Sequence, residues 1–119
     1  MLNYILLITA SILKIILTPL LYSYGVIKAY KKKELDKYNL ELAISKDHYG
    51  NVLSNYLFND ILIKPEGYKF GNINETISSV LGKNKESNTL KVLGKFISKV
   101  LDLIDKNHVE KSIDNNIIK

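Results

Sequence analysis

A chain of 119 residues has room for one small domain and little more, and the absence of cysteine excludes a disulfide framework, a thiolate zinc site and a thiol nucleophile. Basic residues outnumber acidic ones, 17 to 12, for a formal net charge of +5, which suits an anionic partner. Every basic residue is Lys, and with abundant Ile and Asn this reads as A/T-rich codon usage rather than as chemistry.

From Tyr4 to Ile27 every residue except Lys14 is apolar, aromatic or small. At helical rise this stretch covers roughly 36 Å, enough for a hydrocarbon core of about 30 Å, and it predicts a transmembrane helix. No charge precedes it, while Lys28, Lys31, Lys32 and Lys33 follow, the reverse of a cleaved signal peptide. Positive flanks stay in the cytoplasm, so the N-terminus is expected outside and the rest inside. Tyr22, Tyr24 and Tyr30 fit an interfacial aromatic belt. Ser11, Lys14, Thr18 and Gly25 fall on one narrow stripe of this helix, with Ser11, Thr18 and Gly25 seven apart, a spacing that lets helices approach closely in lipid. Self-association along the stripe and a lone anchor with a snorkelling Lys14 weigh about equally.

Residues 1–30 are therefore expected to form the anchor and 31–119 a small, mostly helical cytoplasmic domain. Within it, Leu35, Tyr38, Leu42, Tyr49, Val52 and Tyr56 recur at three-four spacing and predict a helix over 35–58. Ile61 to Lys64 and Tyr68 to Gly71 flank Pro65-Glu66-Gly67, which predicts a short two-stranded hairpin or an ordered loop. Asn72 with Glu75 resembles a capping box opening a helix that Gly82 ends. Leu90, Leu93, Ile97, Val100, Leu101 and Ile104 mark a second amphipathic helix with Lys91, Lys95 and Lys99 along its other side. Asn107 with Glu110 predicts a short final helix.

Two segments concentrate short polar groups, Asn72 to Ser79 and Asp102 to His108. Asp105 and His108, with Glu75 or Asp47, have the ligand types of a two-carboxylate, one-imidazole metal site, and Ser78 would need His108 as base to act as a nucleophile. Helix capping accounts for the same residue types, and it is the heavier reading, so no metal or cofactor is expected. Lys91, Lys95 and Lys99 read as a solvated face or as a contact for lipid head groups.

The runs Asp47-His48-Tyr49-Gly50-Asn51-Val52, Gly71 through Lys83, and Leu101 through His108 resemble a family of small proteins encoded by tailed bacteriophages and prophages, over roughly residues 42 to 113. Members typically read Asp-Glu-Thr where this chain has Asn74-Glu75-Thr76, and Asp-Gln where it has Asp47-His48. The resemblance implies a phage context, no particular reaction, and a common unit containing Asn51, Glu75, Ser78, Ser79, Lys83, Asp105 and His108. The combined expectation is a non-enzymatic phage protein of the host inner membrane, lysis-associated or serving host takeover. It would act through the membrane, self-association or a host or phage protein, with nucleic acid not expected as a partner. A membrane-tethered metal-dependent hydrolase or nucleic-acid-binding module is the first alternative, a virion component released with the genome the second.

Overall fold

The computed structural model describes residues 1–118 and is mainly α. Six helices follow in order: α1 Leu2–Lys31, α2 Leu35–Leu53, α3 Asn55–Ile61, α4 Ile77–Glu86, α5 Val92–Ile104 and α6 His108–Lys111, with no strand among the described residues. The chain divides into two compact units, Met1–Leu42 and the remainder from Ala43.

In the first unit α1 is long and apolar enough to cross a membrane, and its apolar window has no buried residue. Pro19 lies inside it without ending it. The hydroxyls of Ser11, Thr18 and Ser23 bond to carbonyls one turn back, Leu7, Lys14 and Pro19. Such bonds satisfy polar groups within the helix, as hydrocarbon surroundings require. The helix stops where Lys33 takes a left-handed φ of 59° and Glu34 N–H reaches back to Ala29 carbonyl at 2.8 Å. The chain then folds back. Tyr38 of α2 stacks on Tyr22 at 6.2 Å between centroids, Tyr22 hydroxyl donates to Asn39, and a Cβ at Gly25 would collide with the Tyr38 ring.

The second unit has a small core of Leu62, Ile63, Phe70, Val80, Leu81, Leu90 and Val109, with Phe58, Tyr68, Ile77, Ile97 and Leu101 packed around it. Of the hairpin and the ordered loop expected around Pro65-Glu66-Gly67, the ordered loop is the one found. Ile63 pairs with Leu90 in an isolated antiparallel bridge, and residues 67 to 75 are held by asparagine side chains instead of a partner strand. Asn59 accepts from Phe70 N–H at 2.8 Å and donates to its carbonyl at 3.2 Å. Asn51 accepts from Gly71 N–H and donates to the carbonyls of Asn72 and Glu75. Asn84, fully buried, does the same for Tyr68 and also bonds Val80 carbonyl and Thr89 hydroxyl. A carboxamide offers one acceptor and two donor hydrogens, so it can replace a neighbouring strand's backbone.

The helix expected over 35–58 is broken at Ser54 into α2 and α3, and both expected boundaries of α4 move. The N-cap of α4 is Thr76, which accepts from Ser79 N–H, and Asp47 of α2 accepts from Ile77 N–H at 2.7 Å. The helix runs through Gly82 to Glu86 because the glycine serves packing instead: a Cβ there would strike the Val109 carbonyl of α6. Asn107 sits before α6 in the left-handed region without a side-chain cap. Asp102 of α5 accepts from Val109 N–H in its stead.

Candidate functional site

Two polar constellations lie on α4, and their chemistry differs. The first is interior. Glu75 is 1 % exposed, and its carboxylate accepts from Lys83 at 2.6 Å, Ser79 hydroxyl at 2.7 Å and Tyr68 hydroxyl at 2.8 Å. Ser79 and Lys83 lie one turn apart on one line of α4, and Glu75 reaches both from the turn that precedes the Thr76 N-cap. The Lys83 ammonium also lies 4.4 Å above the Tyr68 ring, a cation–π contact. Burial, followed by the bond to Glu75, raises the Tyr68 pKa. Burial alone would lower that of Lys83, but the Glu75 and Tyr68 bonds outweigh it and raise it. Ser79 hydroxyl further accepts from Asp114 N–H, tying the chain after α6 to the cluster. With three donors on its carboxylate, Glu75 is held as an interior ion pair.

The second constellation is nearer the surface. Ser78 Oγ lies 3.1 Å from His108 Nε2, and His108 Nδ1 lies 3.2 Å from Asp105 Oδ2. Asp105 Oδ1 also pairs with Lys111 at 2.7 Å, and the bonds to Lys111 and His108 hold its carboxyl below the ordinary carboxylate range. Ser78 is the second residue of α4, where backbone N–H groups point out of the helix end. This is the order of groups that activates a serine: hydroxyl, imidazole, orienting carboxylate. The carboxylate here is solvent-exposed and shared with Lys111. Two clefts of this unit lie beside Lys85 and Ser98 and beside Tyr68 and Asn115.

The residues predicted from sequence thus separate. Ser78, Asp105 and His108 come together, Glu75 joins a different cluster, and Asp47 caps α4. Among the described residues no three His, Cys, Asp or Glu side chains gather to hold a metal ion. Of the basic face, Lys91 donates to Asp60 carbonyl at 2.5 Å, while Lys95 and Lys99 line a cleft with Lys85, Asn88, Leu90 and Ser98. On α1, Gly25 faces Tyr38, and the hydroxyls of Ser11 and Thr18 are bonded along the helix. Tyr68, Asn59 and Asn84 were not singled out from sequence. Asn59 and Asn84 lie within α3 and α4, where nothing local in the sequence marks them. Comparison with protein-family models, with curated proteins and with solved structures finds no match.

Proposed function

We propose that the chain is a membrane-anchored, non-enzymatic protein of a phage-infected cell, held in the host inner membrane by α1 with the second unit on the cytoplasmic side. The observation that carries the anchor is a 30-residue helix whose leucines and isoleucines are exposed along its length. In water so much contiguous apolar surface is strongly unfavourable, whereas in hydrocarbon it costs nothing. Lys28, Lys31, Lys32 and Lys33 support the orientation, and the resemblance over residues 42 to 113 supports the phage setting. The second unit would then act on a membrane or protein partner, and self-association within the bilayer would run along the Ser11 to Thr18 part of the stripe, since Tyr38 covers Gly25. The test is alkaline carbonate extraction of the full chain combined with a reporter fused after Lys119. Retention in the membrane pellet with a cytoplasmic reporter is the expected outcome, and a periplasmic reporter would reverse the orientation.

A second reading rests on the Ser78–His108–Asp105 line. In a tethered acyl hydrolase, His108 Nε2 would take the Ser78 proton as Oγ attacks an ester carbonyl, and Asp105 would steady the imidazolium. The leaving alcohol would receive that proton, and water would then release the acid from Oγ by the same path. Labelling of the full chain by a fluorophosphonate, lost in Ser78→Ala and His108→Ala, would put this reading first. Absence of labelling would leave the Ser78–His108 bond as a tie between α4 and α6.

A further inference from the structure

Helix α5 packs on the core with Ile97 and Leu101 half-buried, but fully buries only its smallest residues. Its buried positions are the small residues Gly94 and Ser98, while Val92 is 84 % exposed, Phe96 62 %, Leu103 86 % and Ile104 80 %. The reason is close backbone approach, since a Cβ on Gly94 would collide with the Leu62 carbonyl, so the helix lies against the 62–63 segment through its smallest side chains. Projected at 100° per residue, Val92, Phe96, Val100 and Leu103 occupy an arc of about 80° on the outward side. Lys95 and Lys99 border that arc. No ion pair among the described residues involves either lysine, whereas Lys85 opposite them is neutralised by Asp102 at 3.0 Å and Glu110 at 2.7 Å.

We infer that this face of α5 is a second membrane contact, an interfacial helix that lays its apolar arc into an anionic phospholipid surface and receives lipid phosphate at Lys95 and Lys99. Three observations select lipid over other occupants. The apolar arc has lysines along its border, the pattern of helices that lie in the head-group region. The uncompensated charge is positive and suits an anionic leaflet. Beside the arc, Lys85, Lys95, Lys99, Asn88, Leu90 and Ser98 line a cleft of about 250 Å³, and the Ser98 hydroxyl is the one buried side-chain polar atom without a hydrogen-bond partner among the described residues. A buried hydroxyl without a partner is unfavourable, and rotation about one bond would offer it to a phosphate oxygen at the cleft. The inference rests on the membrane reading for its tether, because an anchored domain meets the bilayer at high effective concentration.

The chain has no tryptophan, so Phe96→Trp in the full-length protein introduces a single indole on this face. The variant is reconstituted in bilayers of phosphatidylcholine alone, or of phosphatidylcholine mixed with phosphatidylglycerol, with acyl-brominated phosphatidylcholine as quencher. Docking predicts a blue-shifted, quenched indole in the anionic bilayer, with the docked-to-free ratio falling roughly five-fold for each of Lys95 and Lys99 changed to Gln. Leu103→Ser with Ile104→Ser should abolish the quenching while far-ultraviolet circular dichroism stays unchanged. A solvent-like, unquenched indole in both bilayers would overturn the inference. So would a blue shift without quenching that grows with the protein-to-lipid ratio, since that marks a second copy as occupant. Carbonate extraction of the same samples scores the anchor separately. A retained chain with a solvent-exposed indole defeats only the docking, whereas a released chain defeats the anchor and leaves the docking to be judged on added vesicles.

Discussion

Helices α4 and α5 belong to the same small unit and solve opposite packing problems. The first buries Ser78, Ser79, Gly82 and Asn84 alongside Val80 and Leu81; the second fully buries only Gly94 and Ser98, keeps Ile97 and Leu101 half-buried against the core, and leaves Val92, Phe96, Leu103 and Ile104 outside. The difference teaches that polarity alone does not decide burial. A polar side chain goes inside when partners meet its hydrogen bonds, as Ser79 is met by Glu75 and Asp114, and a small one goes inside when backbones must touch. The apolar residues displaced from the α5 contact need another surface.

The sharpest way to break this comparison is to remove the partner that makes α4 polar inside. Glu75→Ala strands Lys83 next to the core, and the second unit should lose about 3–5 kcal/mol, measured by thermal unfolding of the full chain in detergent. A loss under about 1 kcal/mol would mean the ion pair is dispensable. Next in size is Gly82→Ala. Its methyl meets the Val109 carbonyl, and forcing α4 and α6 apart should cost about 1–3 kcal/mol by the same measurement.

The pH dependence sharpens the contrast further, because the two ends of the unit fail in opposite directions. Tyr68 and Lys83 have pKa values raised by folding, so the stability they contribute is complete below their ordinary values of 10.0 and 10.5 and is lost as pH rises through the raised ones. Asp105 is lowered by Lys111 and His108. At Asp102 burial would raise the carboxyl, but the bonds from Lys85 and Val109 N–H outweigh it and lower it. Their contribution is complete above the ordinary value of 3.8 and is lost as pH falls through the lowered ones. Thermal melts across pH should therefore show alkaline loss reduced by Lys83→Met, with the Tyr68 part remaining, and acid loss reduced by Asp102→Asn.

The smallest expected effects fall on α5. Leu103→Ser and Ile104→Ser should each leave unfolding within about 0.5 kcal/mol, because the side chains are already outside. Ser98→Ala should be neutral or stabilising by up to about 1 kcal/mol, since it removes an unpartnered hydroxyl. Strong destabilisation by either serine substitution on the apolar face would show that α5 packs inward.

The long apolar N-terminal helix, the mainly helical fold and the helix at 92–104 are all legible in the sequence, because periodicity and apolar length are local properties of the chain. Sequence spacing brings Ser78, Asp105 and His108 under suspicion, but it cannot bring them together, since Ser78 and His108 are thirty residues apart and meet only where α4 packs on α6 through Gly82. Tertiary structure alone decided that asparagines would stand in for a strand, that Glu75 would serve the interior, and that α5 would face outward. Each of those outcomes depends on which backbone lies opposite a side chain, and a single sequence carries periodicity without carrying that opposite partner.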